Sequence, residues 1–313
     1  MYMRKKTELP LSMGEKDFFQ LVAERIKNFS RKGKYKTAAN YRCALKQFMA
    51  FRQGLPISIM DISTCIMKDF QDFLVQKGLK MNTISLYMRM LRAAYNYAWD
   101  DDFIENERRP FRKVFTGQEK TRKRALSQKV VRQIVNIHLN DPALEFVRDL
   151  FLFSIYMQGM PFVDMAYLKK CQLQNGYIVY RRRKTNQTLK VKIVPLAQKI
   201  IDRYETKGGE FSYLFPILSD GHRDTPIVYA SALRLYNKRL ERISKLINLN
   251  EPLTSYVSRH TWASLARACG ISDTIISEAM GHTNIETTTI YLAALDTDII
   301  ATANEKLIKS LMR

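Results

Sequence analysis

The chain has 313 residues, of which 46% are hydrophobic, and its 51 Lys and Arg outnumber its 30 Asp and Glu to give a net charge of +21. This length and composition allow two domains with buried cores and exclude a mostly disordered protein. No stretch reaches the roughly 18 uncharged apolar residues of a membrane span, and the N-terminus lacks the apolar core of a secretion signal. We therefore expect a cytoplasmic protein that does not enter membranes.

The charge and the cysteines narrow the range of partners. Both halves of the chain are basic, which indicates a polyanionic partner, with nucleic acid favoured. A basic membrane-binding surface is the competing interpretation, but it needs an amphipathic helix with one concentrated basic face, and the sequence contains none. The four cysteines lie far apart without a C-x-x-C pair, so we expect neither a disulfide framework nor a zinc site.

The N-terminal part is predicted to be an all-helical bundle. Apolar residues recur at helical spacing in four segments, and charged residues or a glycine separate one segment from the next. These segments run from Glu15 to Phe29, from Thr37 to Phe51, from Ser63 to Gly78 and from Asn82 to Asp100. Together they predict one domain between residues 13 and 104, preceded by a short tail.

A basic stretch follows the bundle, between residues 105 and 122. It lacks apolar periodicity, so we interpret it as a linker between two domains, and its charge would let it lie along DNA phosphates. The alternative is a solvated tether, because runs of charge are often merely exposed. The candidate DNA contacts in and beside it are Arg108, Arg109, Arg112, Lys113, Arg122, Lys123 and Arg124.

The C-terminal part, residues 123–313, is predicted to be a second domain of the α+β class. Ser127 is expected to cap a helix, and Leu144 to Met157 has the composition of an almost wholly apolar helix. β-Prone residues on either side of a polar turn at Lys184–Gln187 predict a hairpin. Further helices are predicted at Ala230–Ile247, Leu253–Ala268, Asp273–Met280 and Asp298–Leu311. The fold class is therefore mainly α, with one small hairpin or sheet.

Three local features in this second domain are candidates for chemistry. Arg259 lies near the start of a predicted helix, and Lys184 lies at the tip of the hairpin. The segment from Met280 to Tyr291 contains a Gly-His pair, a Thr pair and a final tyrosine. Each feature alone is weak, because an arginine on a helix or a lysine on a turn is usually a surface residue.

Together, and in this order, these features resemble the tyrosine recombinase (phage integrase) family. The family's last motif is Leu-Gly-His, a short polar stretch, a Thr pair and the nucleophilic tyrosine. In this chain the motif consists of Met280, Gly281, His282, Thr287, Thr288 and Tyr291. The segment around Arg259 resembles the family's second-arginine motif, and Lys184 matches its catalytic lysine. The resemblance covers nearly the whole chain and implies an N-terminal core-binding domain followed by a catalytic domain.

The resemblance implies a specific chemistry. Tyr291 would attack a DNA phosphodiester and leave a 3′-phosphotyrosine and a free 5′-hydroxyl. Arg259 and His282 would bind the phosphate oxygens that gain charge in the transition state, and Lys184 would be the general acid for the departing 5′-oxygen. Because the covalent link retains the bond energy, no metal, ATP or other cofactor is expected. A two-metal nuclease is disfavoured, since the sequence lacks a clustered Asp/Glu motif.

Two positions depart from the family pattern. Pro161 stands where the family has its first arginine, although Asp164 matches the carboxylate three positions later. Tyr256 replaces the usual histidine three positions before Arg259. Either the protein is a catalytically impaired DNA-binding protein of the same fold, or another arginine supplies the missing charge. The candidates for that arginine are Arg148, Arg181 and Arg183.

The variants around Pro161 and Tyr256 resemble integrases and invertases of Bacteroidetes-type bacteria, a subgroup that lacks the first arginine yet is active, so we favour an active enzyme. The resemblance implies a bacterial mobile-element recombinase that performs integration, inversion or resolution. Its partners would be double-stranded DNA with paired recombination sites and further copies of itself, in a synaptic tetramer. A type IB topoisomerase, which shares the tyrosine chemistry without exchanging paired sites, is the alternative enzyme.

The same resemblance implies an architecture. The two domains would form a clamp around the duplex. The last predicted helix, Asp298–Leu311, would pack either on a neighbouring protomer or on its own domain. Few residues precede Glu15, so we expect no additional arm-binding domain.

Overall fold

The computed structural model describes residues 17–100, 109–119, 124–218 and 226–282. The chain divides into two compact units, Met1–Thr121 and Arg122–Arg313. Both are mainly helical, as predicted, and one small sheet lies in the second unit. Within the described ranges, no helix is both long and apolar enough to cross a membrane.

The first unit is a bundle of four helices, and all four predictions are confirmed to within a few residues. The helices are α1 (Phe18–Arg31), α2 (Tyr35–Phe51), α3 (Thr64–Gln76) and α4 (Met81–Asp100). Ser63 caps α3 as predicted, because its hydroxyl oxygen accepts a hydrogen bond from the Ile66 amide (3.3 Å). Gly78, just beyond α3, has a φ of +73°, which glycine adopts without a side-chain clash, so the helix ends there.

The core of this bundle is built around Phe48 of α2. Its buried ring makes edge-to-face contacts with Phe18, Phe19 and Phe70 at centroid separations of 6.0, 5.8 and 5.0 Å. In this geometry the positive edge of one ring meets the negative face of another, which adds to the energy of burial. The contacts join α1, α2 and α3 in one core.

Residues 109–119, which lie inside the predicted linker, belong to the first unit and pack on its helical bundle. Phe111 and Val114 are buried in its core, and the Phe115 amide donates a hydrogen bond to the side-chain oxygen of Gln71 on α3 (2.6 Å). The interpretation as a solvated tether is therefore wrong for this stretch, because a few anchoring residues hold it without any periodic pattern. The basic side chains of Arg109, Arg112 and Lys113 are exposed.

The second unit packs its helices around α6. The described helices are α5 (Gln128–Asn136), α6 (Pro142–Tyr156), α7 (Phe162–Ala166), α8 (Pro195–Tyr204), α9 (Pro226–Leu246), α10 (Val257–Ala268) and α11 (Asp273–Ala279). Ser127 caps α5 by accepting a hydrogen bond from the Val130 amide (3.4 Å), as predicted. Helix α6 is mostly apolar and largely buried, as expected, although Glu145, Arg148 and Asp149 interrupt it, and it contacts α8, α9 and α10. The predicted helix Asp298–Leu311 lies outside the described residues.

The sheet contains the predicted hairpin and one further strand. Its antiparallel strands are β1 (Leu173–Gln174), β2 (Tyr177–Arg181) and β3 (Thr188–Lys192), in that order. Strands β2 and β3 pair with Tyr180 opposite Leu189. The sequence did not predict β1, because two residues are too few to show an alternating pattern. Along β2, Ile178 and Tyr180 are buried, so every second side chain of this strand faces the core.

Helix α10 begins at Val257 rather than at Leu253, so the predicted start is wrong by four residues. The Ser255 amide donates a hydrogen bond to the side-chain oxygen of Asn237 on α9 (2.8 Å), and the Val257 amide donates to the Thr254 carbonyl (3.0 Å). These tertiary and turn hydrogen bonds keep the segment outside the helix. Tyr256 consequently lies at the N-cap position of α10.

We expect Phe48→Ala to lower the free energy of unfolding of the first unit by about 3–5 kcal/mol, because it removes the ring at the centre of the aromatic cluster and leaves a cavity. Met49→Ala, at the next position of α2, is the matched control, since Met49 is 39% exposed. The control should change the free energy by only about 0.5 kcal/mol. Denaturant unfolding of the full chain measures both values, and equal losses would contradict the assignment of the core.

Candidate functional site

Arg259 is the centre of a buried polar cluster in the second unit. It lies in the first turn of α10 and is only 2% exposed. Its Nη1 donates a hydrogen bond to the carbonyl oxygen of Gly159 (2.8 Å), and its Nη2 donates to that of Met280 (2.6 Å). Nη2 also lies 3.1 Å from Nε2 of His282. The fold thus brings two predicted site residues, Arg259 and His282, into direct contact.

His282 is held by the backbone at the end of α11. Its amide donates a hydrogen bond to the Ser277 carbonyl (3.0 Å). Burial, together with the positive charges of Arg259, Arg182 and Lys184, lowers the pKa of His282 to about 4. The imidazole is therefore neutral at neutral pH, and we assign the nitrogen facing Arg259 as an acceptor and Nδ1 as the protonated nitrogen.

The loop after α6 supplies the second carbonyl to which Arg259 donates. Gln158 and Gly159 both have positive φ angles, +58° and +70°. A Cβ on Gly159 would lie 3.1 Å from Cα of Arg259, so glycine allows the close approach of the loop to α10. Ser154 of α6 secures the same loop by donating a hydrogen bond to the Met160 carbonyl (2.8 Å).

Pro161 and Asp164 occupy the region where the family pattern places an arginine and a carboxylate. Pro161 is buried at the N-cap position of α7, where its restricted φ of −63° suits the entry into a helix. Asp164, which is also buried, accepts a hydrogen bond from the Arg183 amide at Oδ1 (3.0 Å). Its Oδ2 lies 3.5 Å from Nε of Arg182. Burial raises the pKa of Asp164, and the Arg183 amide and Arg182 partly offset that rise.

Arg182 is the site residue that the sequence analysis missed. It follows β2, is 5% exposed, and donates hydrogen bonds from Nη1 to the carbonyl oxygens of Met280 (2.7 Å) and Gly281 (2.8 Å). Arg182 and Arg259 therefore share the Met280 carbonyl. The alternation of buried Ile178 and Tyr180 along β2 continues to position 182, so strand periodicity could have identified an inward-facing arginine.

The three arginines proposed from the sequence to replace the missing one have contacts elsewhere. Arg148 forms a short ion pair with its neighbour Asp149 (2.8 Å). Arg181 donates a hydrogen bond to the Asn186 carbonyl (2.8 Å). The guanidinium of Arg183 stacks over the Tyr167 ring, 3.6 Å from its centroid. These contacts leave Arg182, between two of the candidates, as the arginine that reaches the Arg259 cluster.

Three of the remaining predicted site residues lie in the described part of the chain, in addition to the basic residues 109, 112 and 113 of the first unit, and the others lie outside it. Lys184 is exposed in the turn between β2 and β3, and its charge acts on His282. Tyr256 is 44% exposed, and its ring lies 5.1 Å from that of His260 in an edge-to-face contact. Arg124 is exposed at the start of the second unit. The residues that lie outside the described ranges are Tyr291, Arg108, Arg122 and Lys123.

This arrangement has the chemistry of an anion-binding site. Two guanidinium groups converge on one backbone carbonyl, and a neutral imidazole and an exposed ammonium group lie beside them. Guanidinium groups offer planar pairs of N–H donors that match phosphate oxygens, and a neutral imidazole can donate one more hydrogen bond. The cluster therefore suits a phosphate group that gains negative charge during a reaction.

Comparisons with protein families agree with the division of the chain. A model described as the phage integrase SAM-like domain matches residues 17–114, and one described as the phage integrase family matches residues 124–298. A tyrosine recombinase of Pseudothermotoga lettingae is 23% identical over 283 residues, which cover 87% of this chain and 92% of that protein. Tyrosine recombinase XerA of Pyrococcus horikoshii is 24% identical over 225 residues, which cover 69% of this chain and 70% of that protein.

Two solved structures show the same fold. The Tn1549 transposon integrase, in complex with transposon right end DNA, superimposes with a TM-score of 0.68 at 18% identity, and the match covers 94% of this chain and 100% of that one. A lambda integrase in a tetramer bound to a Holliday junction gives a TM-score of 0.66 at 19% identity, and covers 90% of this chain and 79% of that one.

We expect Gly281→Ala to destabilise the second unit more than Gly270→Ala does. Both glycines end a helix with a positive φ, so both substitutions add backbone strain of about 1 kcal/mol. A Cβ at position 270 meets nothing within 4 Å, whereas one at position 281 would lie 2.8 Å from Cδ of Arg182 and 3.1 Å from Cδ1 of Leu189. Displacing the arginine should add about 1–3 kcal/mol. Equal losses in denaturant unfolding would show that Arg182 does not press against this turn.

Proposed function

Because this chain belongs to the phage integrase family of tyrosine recombinases, we propose that Tyr291 is the nucleophile of its DNA strand-transfer reaction. The protein is a site-specific DNA recombinase. The phenolic oxygen of Tyr291 would lose its proton to the surrounding water and bond to the phosphorus of a phosphodiester, while the bond from phosphorus to the 5′-oxygen breaks and that oxygen takes up a proton from Lys184. The observation that carries this proposal is the 3.1 Å contact between Arg259 and His282, nine residues before Tyr291 in the chain.

The residues around Tyr291 have distinct roles in the proposal. Arg259 binds the phosphate oxygens that gain charge, and the neutral His282 donates a hydrogen bond to one of them. Tyr256, at the usual histidine position, offers its hydroxyl to the same phosphate. Lys184 donates a proton to the departing 5′-oxygen, which its exposed place on a turn allows. The 3′-phosphotyrosine retains the energy of the broken bond, so rejoining needs neither a metal nor ATP.

The proposed substrate is double-stranded DNA carrying paired recombination sites, bound by a synaptic tetramer of this chain. The charge of +21 supports a polyanionic partner. The solved neighbours support the assembly, since they are described as an integrase with transposon end DNA and a lambda integrase tetramer on a Holliday junction. Exposed Arg109, Arg112, Lys113 and Arg124 are the described members of the proposed phosphate contacts, and the others are Arg108, Arg122 and Lys123.

The finer assignments belong to the same proposal. The core-binding domain would span residues 13–104 and the catalytic domain residues 123–313, and part of the basic segment between them, residues 109–119, packs on the first of these domains. The pattern at Pro161 and Tyr256 favours a Bacteroidetes-type integrase or invertase that acts in the cytoplasm. Integration, inversion and resolution share this chemistry and differ in how the two recombination sites are arranged.

We expect the wild-type protein to form a covalent adduct with a nicked duplex that carries its recombination site, to be sought among inverted repeats near its gene, and Tyr291→Phe to form none. The nick lets the short leaving fragment, which carries the free 5′-hydroxyl, dissociate, so the phosphotyrosine accumulates and survives denaturation. Tyr177→Phe, a substitution on β2, is the matched control and should leave the adduct unchanged. Peptide mapping of the adduct to another residue would overturn the proposed nucleophile.

The adduct assay, together with assays of plasmid relaxation and of strand exchange, separates the alternatives. A catalytically impaired DNA-binding protein would bind the duplex yet form no adduct. A type IB topoisomerase would relax supercoiled plasmids that carry no recombination site. A recombinase forms the adduct and also exchanges strands between two sites.

We expect Lys184→Ala to slow adduct formation by about 10²–10⁴-fold on ordinary DNA, because the departing 5′-oxygen loses its general acid. A substrate with sulfur in place of that oxygen should react almost normally with the variant, since a thiolate leaves without protonation (thiol pKa about 8.5). Lys190→Ala, which removes a lysine from β3 of the same hairpin, is the control. A defect of Lys184→Ala that is equal on both substrates would contradict the general-acid role.

A further inference from the structure

Pro161 leaves the site without the positive charge of the family's first arginine, and Arg182 is a buried cation close to the same place. Its Nε lies 3.5 Å from the Asp164 carboxylate, and its Nη1 donates to the carbonyl oxygens of Met280 and Gly281. Within the described part of the chain its Nη2 makes no hydrogen bond, so two N–H donors of a buried guanidinium remain available to a ligand. Unused donors on a buried cation are costly unless a ligand satisfies them.

The excess of positive charge around Arg182 favours the binding of an anion. Arg182 and Arg259 donate to the same Met280 oxygen at 2.7 and 2.6 Å, which places two positive side chains side by side in a buried site. Asp164 can offset at most one of these two positive charges. Repulsion between like charges at this separation is unfavourable, and the single negative charge of a phosphodiester would offset it.

The backbone of Arg182 also connects it to the turn that carries Lys184. The Arg182 amide donates to the Gln187 carbonyl (2.8 Å), and the Asn186 amide donates to the Arg182 carbonyl (2.8 Å). These two bonds close the turn, so Arg182 and Lys184 are positioned by one rigid segment. The ion pair with Asp164 and the hydrogen bonds to the carbonyls of Met280 and Gly281 orient the guanidinium group.

We propose that Arg182 binds the scissile phosphate through Nη2 and replaces the arginine that this chain lacks at Pro161, with Asp164 as its positioning residue. This inference rests on the proposed recombinase reaction. In this arrangement the second guanidinium of the site comes from the β-hairpin instead of from the start of α7. The proline at that start is then tolerated, because Arg182 supplies the positive charge from the hairpin.

The test uses two substrates that differ in charge at one atom. One is the nicked duplex with an ordinary scissile phosphodiester, and the other carries a neutral methylphosphonate at the same position. Arg182→Ala should slow adduct formation on the phosphodiester by about 10²–10³-fold, as for loss of one charge-stabilising donor. The methylphosphonate lacks the charge that Arg182 would balance, so the variant should lose far less activity on it. The ratio of the two rates, methylphosphonate over phosphodiester, should therefore rise about 100-fold relative to wild type.

The rate ratio keeps the proposal falsifiable if Arg182→Ala folds poorly, because a smaller folded fraction lowers both rates equally. Arg183→Ala is the matched control: it removes the exposed arginine next in sequence and should leave the ratio unchanged. An unchanged ratio in Arg182→Ala would show a purely structural role and overturn the inference. If wild type and Arg182→Ala alike formed no adduct on either substrate, the proposed recombinase reaction itself would fail.

Discussion

The carbonyl oxygen of Met280 is the point on which the candidate site depends. It accepts hydrogen bonds from Arg259 of α10 and from Arg182 after β2, two cations that would otherwise repel each other. Met280 is the C-cap residue of α11, at the end of the helix where backbone acceptors lack intrahelical partners. The negative end of the helix dipole therefore helps to hold the positive groups together.

Several separate elements meet at that carbonyl, and each is positioned by a local constraint. Positive φ angles at Gly159 and Gly281 allow backbone to approach an arginine where a Cβ would crowd it. The buried alternation of β2 turns Arg182 inward, and Asp164 of α7 pairs with it. The site thus forms where a loop, a hairpin and three helices meet, and no single one of these elements supplies all of its residues.

The departure at Pro161 illustrates how a fold can keep a charge while changing the residue that carries it. A reaction at a phosphate needs positive charge near particular oxygens, and the requirement concerns position in space and not position in sequence. The hairpin and the start of α7 both face the region of Asp164. A cation from either element is therefore within reach of the same carboxylate.

The sequence by itself determined most of the described helices, the hairpin and the caps at Ser63 and Ser127, because periodicity and capping are local properties. Its motifs also singled out Arg259 and His282, which the structure places in contact. Only the tertiary structure decided that α10 begins at Val257, that residues 109–119 pack on the helical bundle of the first unit, and that Arg182 rather than Arg148, Arg181 or Arg183 joins the cluster. These three outcomes depend on hydrogen bonds and apolar contacts between residues distant in the chain. A sequence shows which arginines are close to one another along the chain, but the partners that hold a guanidinium are chosen by the fold that brings distant carbonyls and carboxylates to it.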